Sequence, residues 1–368
     1  MNKEKLISYI QLINTTGIGP ISFKKIMAKY QDVDKALSEL SQKRELFSRS
    51  KATTEVMTAE IKGVKIITIE DDIYPYNLKQ IEDCPPVLYA LGDIELLKNN
   101  NALAVVGSRS ASFSATKMAK KISSEVAQNN ITIVSGMARG IDASSHEGAL
   151  SVNGKTIAVL GTGVDVVYPK ENKPLYDDII KNGLVLSEYP LGTSPQASNF
   201  PRRNRIVSGL SKGVLVIEAS VQSGSLITAY QALEQGRDVY AIPGAPFDGR
   251  TSGCNKLLKE GAILVENSSD ILNNFSFSQK EFIHCKSKKV EKQDLFEYSL
   301  DNEKNNKDIA DNVDEYSKLL SHISEEGIEV DEIIRLTSHP AEEVLMMIME
   351  LELEGKLVRL PGNKVAKA

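Results

Sequence analysis

From residue 102 onward, short uninterrupted apolar runs alternate with amphipathic stretches, and most runs end in a glycine-bearing loop. A strand with no polar alternation is one buried on both faces, and a helix between two such strands is a crossover. These observations predict an α/β chain. Its core is a Rossmann-like, doubly wound, mostly parallel sheet, with a small helical domain before it and a winged-helix-like module after it.

Residues 1–65 read as the helical domain. LISYIQLI has a helical apolar period, and the turn Gly17-Ile18-Gly19-Pro20 leads into a second amphipathic helix. That turn resembles a helix-hairpin-helix (SAM-like) element, whose backbone N–H groups can cradle a phosphate. It reads equally well as a plain connector with glycine at its cap. Residues 66–275 form the core. Up to about residue 100 the expectation is one short strand, VKIITI, and a turn-rich connecting segment broken at Pro85-Pro86. The strands ALAVVG, ITIVSG, TIAVLG, LVLSEY, GVLVIEA, DVYAIPG and AILVE follow, each after a helical stretch or loop. Residues 276–312 are polar and charge-mixed and read as a linker. Residues 313–368 read as three helices and a hairpin turning at Pro361-Gly362-Asn363, which is winged-helix topology.

Composition narrows the function classes. The chain has 368 residues and a net charge of −5. That average argues against a nucleic-acid binder, but its distribution does not. Residues 313–368 hold 6 Lys+Arg against 12 Asp+Glu, whereas residues 103–275 hold 17 against 15. Cys84, Cys254 and Cys285 are too far apart in sequence for a disulfide framework or a CxxC pair. No run is long enough for a spanning helix, and no signal peptide is read, so no membrane partner and a cytoplasmic location are expected.

In a doubly wound sheet, ligands bind at the carboxyl ends of the strands. The loops there carry Gly107, Ser108 and Arg109 after the first strand of the series, and Ser135, Gly136, Arg139 and Gly140 after the second. Gly161 follows the third, and Gly224 and Ser225 follow a later one. Small residues with free N–H groups at helix starts suit an anion, so several such loops on one edge favour an anion site over mere tight turns. GSRSAS lacks the glycines of a dinucleotide fingerprint, and no GxxxxGK[ST] occurs. No cofactor is therefore expected.

The sharpest feature is Phe200-Pro201-Arg202-Arg203-Asn204-Arg205. No acidic residue lies between Tyr189 and Ile217. Guanidiniums bind phosphate bidentately and a phenyl ring stacks an unpaired base, so the segment suits single-stranded nucleic acid. Phe200 could instead be a core ring, and one of the three arginines could pair with Glu188 or Glu218. Lys170 could extend the cationic track. Asp142 and Asp165 read as caps or loop ties, and no nucleophile–base pair or metal cluster is read.

Eight blocks occur in order: VVGSR (105–109), SGMARGID (135–142), GTGVDVVYP (161–169), SEYPLG (187–192), FPRRNRIVSGLS (200–211), EASVQSGSLITA (218–229), AIPG (241–244) and GCNKLLKEGA (253–262). Together they resemble the DprA/Smf family of bacterial DNA-processing proteins, with the likeness concentrated in residues 80–270. The resemblance implies a homodimeric, non-enzymatic protein of natural transformation that binds and protects single-stranded DNA and loads the RecA recombinase on it. It also implies a basic pocket that includes Arg109, with contributions from Phe200–Arg205 and Lys170. One departure concerns the third helix of the C-terminal module. It carries Glu342, Glu343, Glu350, Glu352 and Glu354, and no Lys or Arg before Lys356. A helix that enters a duplex groove needs cations near phosphates, so this module is expected to contact a partner rather than duplex DNA.

Two other classes compete. One is a LOG-like nucleoside-monophosphate phosphoribohydrolase, whose PGGxGTxxE signature is missing from EASVQSGSLITAYQALE. The other is an interaction scaffold with purely structural glycine loops, which predicts no oligonucleotide binding.

Overall fold

The structure is a computed structural model. It describes residues 2–275 and, beyond them, parts of 323–367. The chain divides into two compact units, Met1–Ile283 and His284–Ala368.

The first unit begins with α1 (Lys3–Ile13), α2 (Pro20–Tyr30), α3 (Val33–Ser41) and α4 (Arg49–Ile61). Asn2, Asp32 and Ser48 cap three of these helices by accepting first-turn N–H groups. Then come β1 (Lys65–Thr68), the single turn α5 (Tyr76–Lys79) and β2 (Val87–Gly92). The parallel series is β3 (Ala102–Gly107), α6 (Phe113–Ala127), β4 (Thr132–Ser135), α7 (Ile141–Leu150), β5 (Thr156–Val159), α8 (Lys173–Asn182) and β6 (Leu184–Ser187). It continues with α9 (Asn199–Leu210), β7 (Gly213–Ile217), α10 (Gly224–Glu234), β8 (Asp238–Ala241), α11 (Ser252–Lys259) and β9 (Ile263–Leu264).

These strands form one sheet in the order β1-β2-β6-β5-β4-β3-β7-β8-β9. From β6 to β9 every neighbouring pair is parallel, whereas β1 and β2 join antiparallel. The chain runs outward from β3 to β6, then returns to place β7 beside β3. The strand order therefore reverses between β3 and β7, and a crevice opens there at the carboxyl ends.

Three apolar layers hold the unit. One packs α6 and α7 on one sheet face through Ile122, Val126 and Ile141. A second packs α9, α10 and α11 on the other through Ile206, Leu226 and Leu257. The third joins the N-terminal helices to the sheet, with Tyr9, Phe23 and Val56 in one cluster with Tyr89, Leu160 and Val185. The four helices thus share a core with the sheet.

The segment expected to be only a connector contains β2. Four of its six residues are buried. Its pairing with β1 on one side and β6 on the other converts an apolar run beside Pro85-Pro86 into a sheet strand. Sequence reasoning took the prolines as the dominant signal and missed this tertiary pairing.

In the second unit, β10 (Ile328–Glu329), β11 (Leu357–Leu360) and β12 (Lys364–Lys367) form an antiparallel sheet in the order β10-β12-β11. It shares a core with α12 (Val330–Thr337) through Val330, Ile333, Leu357 and Val365, and Val344, Ile348 and Leu351 join that core. The expected linker 276–312, the glutamates of the third helix and the turn 361–363 lie outside the described residues.

Candidate nucleic-acid interface

A cleft of about 930 Å³ lies over the carboxyl ends of the central strands. Its floor is Val106–Ser110 at the end of β3, Asp142 of α7 and Ser220 after β7. Tyr168, Phe200 and Asn204 form one wall. Ser223, Gly224, Ser225 and Thr228 of the α10 start form another, with Arg250 near them.

The loop after β3 is braced from β7. The Ser108 N–H donates to the Glu218 carbonyl at 2.8 Å, and the Ser112 N–H donates to the Glu218 carboxylate at 2.8 Å. The Ser112 hydroxyl also donates to that carboxylate. These bonds fix the segment that carries Arg109, while Arg109 itself stays exposed. Its guanidinium carbon lies 5.5 Å from the Phe200 ring centroid. Phe200 in turn lies 5.5 Å from the Tyr168 ring, tilted 37°. Phe200 is half-buried and lines the cleft, so it is not a plain core ring.

Across from this aromatic wall, α10 begins. Ser223 caps it by accepting the Ser225 N–H, and the Ser225 hydroxyl donates to the Gly107 carbonyl at 2.8 Å. That bond ties the two sides of the crevice together. A helix start carries about half a positive charge, which adds to Arg109 in favouring an anion, whereas the Arg250 charge is paired with Asp248.

Among the expected site residues, Gly107, Ser108, Arg109, Phe200, Arg203, Asn204, Gly224 and Ser225 line this cleft. Arg203 does so from beneath. It is only 4% exposed and donates to the Val159 carbonyl at 2.5 Å. Its guanidinium fills the space where Gly136 would carry a methyl group. Burial lowers its pKa, opposed by the nearby Asp142 carboxylate. Burial pushes Asp142 up, against Arg203 and the Gly136 and Ala138 N–H groups that it accepts. The two opposite charges largely offset one another beneath the cleft, and Arg203 is a support more than a contact.

Arg205 corrects the expected cationic track. Its side chain is 9% exposed, and Nη2 and Nη1 meet the two Glu188 oxygens at 2.7 and 3.2 Å. Its Nε meets Asp83 at 2.9 Å. Both carboxylates offset its charge and its side chain is nearly buried, so its role is structural. Ser135 is a second correction. Its hydroxyl is buried and donates to the Val105 carbonyl at 2.6 Å, so it holds β4 to β3.

The others surround the cleft. Gly161 packs against the Phe200 ring, and Gly140 is the N-cap of α7. Arg139 is exposed and lies 3.4 Å from Glu171, beside the exposed Lys170. Arg202 is exposed and lines a neighbouring groove with Gly19, Pro20, Asp83 and Glu188. The two carboxylates there are paired with Arg205, and Lys24 donates to the carbonyls of Ile81 and Glu82. Asp165 ties loops, accepting from Lys62 at 2.6 Å and from the Gly192 N–H at 2.8 Å.

Sequence reasoning missed Arg250. The available signal was the one that selected Arg109, a guanidinium a few residues past a strand end on the same edge. Among the described residues, no cluster of three or more metal-ligating side chains occurs. No helix among them is long and apolar enough to cross a membrane.

Comparison with known proteins matches this architecture. The family model described as DNA recombination-mediator protein A fits residues 65–276, and the DprA winged helix domain fits 304–363. The DNA processing protein DprA of Streptococcus pneumoniae is 48% identical over 221 residues, which are 60% of this chain and 78% of that protein. Protein Smf of Escherichia coli is 37% identical over 320 residues, covering 87% and 82%. The X-ray structure of the S. pneumoniae protein superposes with a TM-score of 0.64 at 39% identity, covering 74% of this chain and 98% of that one. A Helicobacter pylori DprA structure, determined for that protein's single-stranded DNA binding mode, superposes with a TM-score of 0.52 at 31% identity, covering 59% and 97%. With one family model spanning more than half of the sequence and a relative aligned along most of it, the chain belongs to the DNA recombination-mediator protein A family, the DprA/Smf proteins.

Proposed function

We propose that this protein binds single-stranded DNA in the cleft between β3 and β7 and hands it to the RecA recombinase, acting as a cytoplasmic homodimer without enzymatic activity. The observation that carries the reading is the Arg109–Phe200 pair facing the start of α10 at the reversal in strand order. A guanidinium and a helix N-terminus attract phosphate, and the ring offers a face to an unpaired base. A paired base keeps its faces inside the duplex stack, so this wall favours single strands. Membership of a DNA-processing family and the H. pylori structure support the same ligand.

The test is fluorescence anisotropy of labelled oligo-dT and of duplex across a salt series. The expected result is preference for oligo-dT, with log K falling linearly against log salt by about 0.7 per phosphate contacted. Arg109→Ala should weaken binding about 10- to 100-fold, for all sequences alike. Equal affinity for duplex, or binding indifferent to salt, overturns the reading. Release of free base from a nucleotide by the purified protein would instead favour a phosphoribohydrolase.

A further inference from the structure

Two rings that the fold leaves in water stand close in sequence to residues that line this cleft. Phe113 stands three residues after the cleft-lining Ser110, at the first position of α6, and is 85% exposed. Phe247 stands three residues before the cleft-lining Arg250, in the loop between β8 and α11, and is fully exposed. Both lie on carboxyl-edge loops. Their strands, β3 and β8, are separated only by β7, so the strand ends are about 10 Å apart.

Neither ring sits on a slack segment. The Phe247 turn is closed by Asp248 N–H to the Ala245 carbonyl and by Thr251 N–H to the Asp248 carbonyl, both at 3.0 Å. Arg250 grips Asp248 through Nε at 3.0 Å and Nη2 at 2.8 Å. The Asn255 amide bonds both backbone groups of Gly244, at 3.1 and 3.0 Å. Phe113 follows Ser112, which is pinned by Glu218 and caps α6 by accepting the Ala115 N–H at 3.2 Å. Single exposed apolar residues are ordinary on a soluble protein. Two phenyl rings on braced turns, each three residues from a residue that lines the cleft, offer exposed faces on which a base can stack. The backbone that carries them is already ordered before a ligand arrives, which lowers the entropy lost when a base lands.

We propose that Phe113 and Phe247 extend the cleft into a base-stacking track for single-stranded DNA, with Arg109 and the α10 start following its phosphates. The inference rests on the binding function proposed above and adds two residues that no sequence motif marked. Stacking uses the π-face common to every base, so the track is tolerant of sequence.

The chain contains no tryptophan, so Phe247→Trp and Phe113→Trp each install a single reporter in the full-length protein. Each is titrated with a 20-nucleotide oligo-dT and with an abasic oligonucleotide of equal length, while anisotropy of the labelled oligonucleotide is read in parallel. The expected result is tryptophan quenching that tracks oligo-dT binding and is missing with the abasic strand. Phe247→Ala and Phe113→Ala should each weaken oligo-dT binding about 5- to 100-fold, the effect of one stacked base, and leave abasic binding as in wild type. Emission that stays constant while anisotropy reports bound oligo-dT overturns the track alone. So do alanine variants that sediment as a smaller species, which would assign the rings to contact with another copy. Failure of the wild-type protein to bind oligo-dT overturns the track together with the function it rests on.

Discussion

Replacing Arg205 separates a structural guanidinium from the one proposed to bind DNA, Arg109. In the folded protein its fork faces Glu188 with both side chains mostly buried, at 9% and 13% exposure. Asp83, the second partner, is 40% exposed, so that contact is screened and contributes little. Arg205→Ala leaves the Glu188 carboxylate without its cation in a site where burial already pushes its pKa up. Removing one partner of a buried pair costs about 3–5 kcal/mol. At about 2–4 °C per kcal/mol for a unit of this size, Tm should fall by about 6–20 °C. Thermal and urea unfolding measure the loss. Arg205→Met with Glu188→Gln should recover much of it, because the double variant strands no charge. At a temperature where it stays folded, Arg205→Ala should bind oligo-dT within a fewfold of wild type, unlike Arg109→Ala. A variant with unchanged Tm and strongly weakened oligonucleotide binding would refute the reasoning and return Arg205 to the DNA track.

His146 is buried in α7, with Nδ1 2.6 Å from the Thr156 hydroxyl, and burial lowers its pKa to about 3, with the Arg203 charge adding to the effect. The unfolded chain takes up this proton near 6.5 and the folded one does not, so stability present at neutral pH should be lost as pH falls from about 6.5 toward about 3, at up to about 1.4 kcal/mol per pH unit. Urea midpoints compared at pH 7, 5 and 4 should fall less steeply for His146→Gln, and parallel curves would count against the assignment. Gly136→Ala would drive a methyl group into the Arg203 guanidinium, which should destabilise the protein by about 1–3 kcal/mol at unchanged m-value. An unshifted urea midpoint would show that the guanidinium has room to move.

Much of the fold was legible because its local and global signals agree. Buried parallel strands must be apolar along their whole length, and ALAVVG, TIAVLG and GVLVIEA are. Glycine loops at their ends marked the edge where the cleft opens, and Arg109 and Phe200, which line it, could be picked out from residue type and position. β2 was illegible because its strand character comes from pairing with β1 and β6, partners distant in sequence or separated from it by a proline pair.

The sequence by itself determined which chemistry is available. It put guanidiniums, an aromatic ring and glycine-opened backbone on one edge of a parallel sheet, and an uninterrupted neutral-to-basic stretch from 190 to 216. Only the tertiary structure decided which guanidiniums are free to use it. Arg202, Arg203 and Arg205 are near neighbours in the chain. Yet the pitch of α9 turns one to solvent, one beneath Gly136 and one into Glu188 and Asp83. A helix sends adjacent residues about 100° apart, so what each side chain meets is set by the elements packed around it. Arg250, far away in sequence, reaches the same cleft because β8 ends on the same edge.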